Sequence, residues 1–443
     1  MKLNPFGHVT PAQIVEAAKR FGTPLYLYDE PLIIERCQAL MRMPNAFGLE
    51  VRYAMKANPS LALLQTIAQE GLGADASSLN EAKRAHRAGI PYDRIMLTTQ
   101  DAPLGEERGV LDQMLKDGVT YNICSQHQLE LLLPFLRQHP AKIAIRVNPG
   151  VGAGESVTRN TGDKYSSFGI HLWQLDGIKN LLSKSGVRLE HVHAHIGSGG
   201  DPEIWRENID RMLELIELHF PDAKVMNLGG GFKEARMPDE IAANIQELGE
   251  YAKLRVTEFR KQTGRTLAVA IEPGTFVVAN AGYLVTSVLD IKSSGPDGFD
   301  FLILNAGMEA NTRPLLYGSR HPFYVISTRG ELLSSEFDLE SATNSLNAVV
   351  VGRCCESGDS QTLDDHGHVL PRKLGNPRPG DYVVIGGTGA YCSSMTLINY
   401  NSYLQAPEVL LHSDGETSLI RKPQTFEQIV VNELPHPRLT LPA

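Results

Sequence analysis

From about residue 48 to residue 272 the chain alternates short β-branched runs with helical stretches, and this rhythm narrows the fold more than any other feature. The runs that read as strands are residues 51–55, 73–75, 94–98, 120–124, 142–147, 190–196, 225–228 and 267–271. The segments between them carry helix punctuation. Ser60 follows Pro59 as an N-cap and Gly71 closes that helix, while Ser78-Leu79-Asn80-Glu81 has capping-box spacing ahead of a helix ending near Gly89. Eight strands, each but the last followed by a helix, match the period of a (β/α)8 TIM-like barrel, an α/β fold. A doubly wound open sheet would carry a glycine fingerprint after its first strand, where this chain has Lys56-Ala57-Asn58.

After Glu272 the helical rhythm fades. Residues 283–292, 300–304, 322–327, 348–353, 381–386, 408–411 and 418–420 read as strands separated by Gly, Pro, Asn and Asp, which describes a second, mainly β domain. The run 24–28 precedes the barrel and can join either unit; residues 1–29 are assigned to the β domain. The expected division is a barrel over 30–280 and a β domain over 281–443. The longest uncharged stretch, 273–289, is broken by Gly274, Asn280 and Gly282 and is rich in Val and Thr, so it reads as two strands and not as a membrane span.

The remaining bulk properties exclude whole classes of function. With 42 Lys and Arg against 51 Asp and Glu, the formal charge is −9 and no basic run exists, which argues against nucleic acid and anionic membrane partners. A single local arginine can still hold a small carboxylate. Residues 1–8 lack the apolar core of a secretory signal, and five cysteines in so long a chain are no disulfide framework. A cytoplasmic protein is expected.

In such barrels chemistry sits on the loops after the C-terminal strand ends. Those ends carry Lys56, Asp75, Asn148, His195, Gly229-Gly230-Gly231 and Glu272. A lysine among apolar residues, as in Tyr53-Ala54-Met55-Lys56, can form a Schiff base, although most strand-end lysines are merely solvated. The triple glycine lets backbone N–H groups approach an anion, or else makes a plain tight turn. Glu272 ends an apolar strand and needs a partner, which a protonated pyridine nitrogen would provide. His191, His193 and His195 alternate along one side of a strand; a metal there would need further His and Asp ligands at other strand ends, of which this sequence offers few, so none is expected. Cys354 and Cys355 are either core residues or, beside Glu356-Ser357-Gly358-Asp359, part of a polar loop with a reactive thiol.

Taken in order, these segments resemble the fold-type III pyridoxal-phosphate decarboxylases, most nearly the members that act on diaminopimelate. The carrying residues are Tyr53-Ala54-Met55-Lys56-Ala57-Asn58-Pro59, Arg146-Val147-Asn148-Pro149-Gly150 with Asn160-Thr161-Gly162, and His195-Ile196-Gly197-Ser198-Gly199. They continue through Gly229-Gly230-Gly231, Glu272-Pro273-Gly274, Arg313-Pro314-Leu315-Leu316-Tyr317-Gly318 and Cys355-Glu356-Ser357-Gly358-Asp359 to Gly389-Ala390-Tyr391 and Tyr400-Asn401. The resemblance implies an alanine-racemase-like architecture, pyridoxal 5'-phosphate as cofactor and Lys56 as its Schiff-base lysine. It further implies that His195 stacks on the cofactor ring and that Glu272 pairs with the pyridine nitrogen. Ser198, Gly229, Gly230, Gly231, Gly274 and Tyr391 would hold the phosphate. Cys355 would be the proton donor, delivered from the partner subunit of a homodimer, and Arg313, Tyr317, Glu356 and Tyr391 would meet the substrate.

The implied reaction is decarboxylation of meso-diaminopimelate at its D-centre to L-lysine and CO2. Two segments depart from the family pattern: Thr275 follows Glu-Pro-Gly where an arginine is usual, and Asn305-Ala306-Gly307-Met308-Glu309-Ala310 replaces an Asp-Ala-Gly-Met-Asn-Asp run. Arg320 or His321 would be candidates to replace the missing arginine. Carboxynorspermidine or a siderophore precursor is the alternative substrate on the same chemistry. A racemase is disfavoured by Glu272, because racemases pair the pyridine nitrogen with arginine. A non-catalytic cofactor-binding barrel is disfavoured by the second domain.

Overall fold

A computed structural model describes residues 6–152, 161–338, 345–364 and 366–437. The chain divides into two units. One comprises Glu30–Ala281 with Gly389–Ser394; the other takes in Met1–Asp29, Gly282–Thr388 and Met395–Ala443. The first eight sequence-predicted strands all exist, as Leu49–Ala54, Gly73–Ala76, Ile95–Thr98, Thr120–Ile123, Ile143–Asn148, His191–His193, Val225–Asn227 and Ala268–Ile271. They pair parallel in chain order, and Ala268–Ile271 returns to Leu49–Ala54, so the ring is closed. The short strand Ile170–His171 adds to the Ile143–Asn148 edge outside the ring. Continuous burial along Ile143–Asn148 and Gly73–Ala76 follows from parallel strands packed on both faces.

The helix punctuation is present with altered chemistry. Helix Leu79–Arg87 buries Leu79, Ala82 and Ala85, and Ser78 accepts the Glu81 N–H at 3.1 Å. The Glu81 carboxylate reaches back to the N–H of Ser77 at 2.7 Å, one residue beyond the box the spacing predicts. Ser60 precedes helix Leu61–Gln69 but its hydroxyl caps nothing; the Asn58 side chain accepts the Ser60 N–H at 3.1 Å instead.

In the other unit, Leu25–Asp29 is wholly buried, antiparallel to Gly282–Ser293 and parallel to Glu408–Leu411, so the N-terminal strand is central to the β unit. Helix Pro11–Phe21 covers it with Ile14, Val15 and Ala18, and Phe6 packs against Tyr283 and Tyr324. Three corrections apply. Residues 273–289 form a one-turn helix, Thr275–Val278, followed by one strand, not two strands. Leu332–Ser335 and Arg372–Gly375 are strands that the sequence pattern does not reveal. Gly389–Ser394, expected in the β domain, groups with the barrel unit.

Candidate active site

Strand Leu49–Ala54 passes into a single 3₁₀ turn, Met55–Ala57, in which Met55 and Ala57 are buried and Lys56 is exposed. The turn is stapled from afar. The Ala57 carbonyl accepts the Tyr391 N–H at 2.8 Å and the Ser394 hydroxyl at 2.9 Å, and the Asn58 amide donates to the Gly389 carbonyl at 3.0 Å. Tyr391 has φ +57°, a left-handed conformation uncommon for a residue with a Cβ and one that collects at functional sites. Lys56 faces a cavity of about 310 Å³ at the strands' C-terminal ends, shared with Asp75, Thr98, Arg146, His193, His195 and Glu272. That lining is polar. The apolar enclosure expected for Lys56 is absent because its apolar neighbours in sequence turn into the core.

Glu272 is 4% exposed, so its carboxylate depends on protein partners in place of water. Asn227 donates its amide to Oε1 at 2.6 Å and uses its own carbonyl to accept the Gly229 N–H at 2.9 Å. His193 Nε2 lies 3.3 Å from Oε2. The other imidazole nitrogen faces the Asn122 amide at 2.7 Å. Asn122 donates to the Thr98 hydroxyl at 3.2 Å, and Thr98 donates to Asp75 at 2.9 Å. That direction of donation makes His193 Nδ1 an acceptor and leaves the proton on Nε2, the nitrogen that lies 3.3 Å from Glu272.

Burial by itself raises a carboxyl's pKa, but His193 and the Asn227 amide more than offset it, and Glu272 is held well below the usual carboxylate range. Asp75 goes the other way. Burial and the charge of Glu272 push it up to about 8, against opposition from Lys56 and Thr98. Two carboxylates in one cavity thus have opposite preferences, with the ionised one fixed at Glu272. Burial is the main cause that lowers the pKa of both His193 and His195.

The triple glycine is required by close backbone approach. A Cβ on Gly230 would lie 2.1 Å from the Glu272 carbonyl and one on Gly231 would lie 1.9 Å from the Gly197 carbonyl. Gly199 donates its N–H to the Gly231 carbonyl at 3.2 Å, which sets the 197–199 loop, with exposed Ser198, alongside the glycines. Gly274 is equally tight: a Cβ there would be 3.1 Å from both the Ala54 carbonyl and the Ala57 side chain. Half-buried His195 follows its strand and lines the cavity, and its Nδ1 has no partner among the described residues. His191 lies at the strand's other end and does not reach this cavity, so the three alternating histidines do not converge. Asn160 lies outside the described residues.

Within the β unit, Arg313 and Tyr317 share the short helix Arg313–Tyr317, the guanidinium sitting 5.7 Å from the Tyr317 ring centre. Arg313 is buried and donates to the Ser319 hydroxyl at 3.2 Å. Cys355 is exposed, its N–H held by Asn401 at 2.8 Å. Glu356 accepts from the Tyr400 hydroxyl at 3.0 Å and the Ser357 hydroxyl at 3.1 Å, contacts that lower its pKa. Cys354 is half-buried against Glu309, and burial with that carboxylate raises its thiol pKa, so the exposed Cys355 is the reactive candidate of the two. His321 is buried with Nδ1 against the Gly386 carbonyl at 2.8 Å. Sequence reasoning misses Asn122, Asn227 and Thr98. The available signal is an amide or hydroxyl inside an otherwise apolar strand, a group that must find a partner.

Residues 32–279 match the model of the pyridoxal-dependent decarboxylase pyridoxal-binding domain. The diaminopimelate decarboxylase of Escherichia coli is 30% identical over 430 residues, covering 96% of this chain and 97% of the relative. A crystal structure of diaminopimelate decarboxylase superposes with a TM-score of 0.86 at 29% identity, covering 98% of this chain and 99% of that one. The Helicobacter pylori enzyme complexed with L-lysine gives 0.78 at 28%, covering 94% and 98%. The residues present fit a pyridoxal cofactor: a lysine and a buried ionised carboxylate share one cavity, and the glycine loop has the backbone proximity that any Cβ would abolish. The chain belongs to the pyridoxal-dependent decarboxylase family, as a carboxy-lyase of the diaminopimelate decarboxylase group with pyridoxal 5'-phosphate as its cofactor.

Proposed function

We propose that this chain decarboxylates meso-diaminopimelate at its D-centre, releasing CO2 and L-lysine. The observation that carries the reading is the buried Glu272, hydrogen-bonded by Asn227 with His193 3.3 Å away, sharing a cavity with Lys56. Near-full-length similarity to diaminopimelate decarboxylases supports the substrate, as does the lysine complex of the Helicobacter pylori relative. Lys56 would hold the cofactor covalently, with His195 against its ring, Glu272 at its ring nitrogen, and Ser198, Gly229, Gly230, Gly231, Gly274 and Tyr391 at its phosphate. Bound there, pyridoxal phosphate supplies an electron sink for the pair left when the carboxylate departs.

The protein's own groups set the conditions for that loss. Asn227 and His193 keep Glu272 ionised and correctly turned, and Asn122 fixes the tautomer that lets His193 donate. Arg313 holds the distal carboxylate, with Tyr317 and Tyr391 beside the substrate, and Glu356 meets the distal ammonium. As the C–C bond breaks and CO2 leaves, the Cys355 thiol gives its proton to the carbon that lost the carboxylate. Cys355 and Glu356 reach the partner's site in a homodimer, so each active site is shared. The enzyme works in the cytoplasm, a reducing compartment that suits five free cysteines. No described helix is long and apolar enough to cross a membrane.

Substrate choice is tested by comparing meso-diaminopimelate with D-lysine, which lacks the distal carboxylate. Thr275 provides a hydroxyl where the family usually has a charge, so Arg313 carries the carboxylate contact. Losing a charge-assisted hydrogen bond costs about 1.5–3 kcal/mol. Arg313→Ala should therefore lower kcat/KM for diaminopimelate roughly 10–100-fold more than for D-lysine. Equal turnover of both compounds by the unaltered protein would point instead to an amine-producing decarboxylase.

A further inference from the structure

The barrel has a second, larger cavity at the opposite, N-terminal end of its strands. About 640 Å³ in volume, it is formed by residues at the starts of seven of the eight barrel strands, from Leu49 round to Val225. Its lining carries five basic side chains against three acidic ones, in a chain whose formal charge is −9. None of the catalytic residues lines it.

Two buried polar side chains at its base each have one unpartnered nitrogen among the described residues. Arg52 is 9% exposed; its Nη2 pairs with Glu50 at 2.5 Å, and its Nη1 has no partner among the described residues. His191 is 7% exposed, and its Nε2 likewise has none. Both nitrogens lie beneath the cavity surface with almost no accessible area, so the base is polar and positively charged although these two atoms do not open onto it. The arrangement is built around Arg52: its stem runs over Gly73, where a Cβ would come within 3.4 Å of the arginine side chain and 2.3 Å of the Arg94 carbonyl. At the rim, the exposed side chains of Lys142 and Arg188 make no ion pair among the described residues. The other rim lysine, Lys224, is paired with Glu190.

We propose that this cavity is a binding site for a small polyanion, a phosphate or a molecule with clustered carboxylates. Lys142 and Arg188 would meet its oxygens from the rim, above the Arg52 guanidinium that lines the base. A neutral ligand or water would leave the surplus positive charge of the lining uncompensated.

The test is calorimetric titration of the holoenzyme, whose own phosphate cradle is filled, with inorganic phosphate and separately with citrate at constant ionic strength. Saturable binding of at least one of them, one per chain, is expected; which one binds distinguishes a phosphate site from a carboxylate site. The Lys142→Ala/Arg188→Ala double variant changes only exposed side chains distant from the catalytic cavity. It should keep its activity and fold while losing affinity tenfold or more, and Arg52→Ala should bind neither anion. Absence of saturable binding to the unaltered holoenzyme would overturn the proposal. So would affinity unchanged in the folded double variant.

Discussion

Lys56→Ala should abolish turnover, and borohydride reduction of the unaltered holoenzyme should fix the cofactor on Lys56. Both outcomes follow from a lysine held at the cavity mouth by a turn that Tyr391 and Ser394 lock from more than 300 residues away. The effect should appear in kcat, because the role proposed for Lys56 is in the chemistry and not in uniform binding. Holoenzyme should absorb visible light and lose that band on reduction, and peptide mapping should find a single labelled lysine. Label on any other lysine contradicts the assignment. The same variant tests the shared site. Mixed and reassociated with Cys355→Ala subunits, Lys56→Ala subunits should regain activity, since each heterodimer then has one intact set of residues. Verified heterodimers without activity would show that each chain supplies its own site.

Glu272→Gln should slow decarboxylation by roughly 10²–10³-fold while the cofactor remains bound. The carboxamide has nearly the same shape, and its one carbonyl oxygen can still accept from Asn227 or from His193, though not one from each oxygen as the carboxylate does. It carries no charge to hold a proton on a ring nitrogen. Binding and rate therefore separate: spectroscopic cofactor content stays near that of the parent and kcat falls. Because Glu272 sits well below the usual carboxylate range, its own titration should leave no mark on the rate profile from neutral to mildly alkaline pH. Unchanged kcat in Glu272→Gln would make this residue a packing element. Asn122→Ala probes the same relay from further out. Removing the donor at His193 Nδ1 frees the imidazole tautomer, and partial loss of kcat with retained cofactor is the expected result.

The barrel is legible because its strands are short, β-branched and bounded by helix caps and glycines, so the eight sequence-predicted runs fall on the eight ring strands within about three residues. The β unit is less so. Leu332–Ser335 and Arg372–Gly375 have neither alternation nor β-branching, and they become strands only by pairing with Tyr324 and Leu346 and their neighbours. Residues 273–281 read wrongly as strand because Val and Thr weigh that way, whereas Gly274 packs tightly on Ala54 and Ala57 and starts a turn of helix. Gly389–Ser394 belongs with the barrel through hydrogen bonds to Ala57 and Asn58, a long-range fact that no local pattern contains. The same limit applies to the site. Lys56 and Glu272 stand out as charges ending apolar strands, but the path Asp75–Thr98–Asn122–His193–Glu272–Asn227 joins positions on separate strands whose neighbourhood exists only after closure.

A stereospecific decarboxylation of one compound is tested most directly by product analysis. Purified holoenzyme is incubated with meso-diaminopimelate, CO2 is quantified, and the amino-acid product is resolved on a chiral column. Equal amounts of CO2 and L-lysine are expected. Absence of lysine, or D-lysine in place of L-lysine, would contradict the assignment.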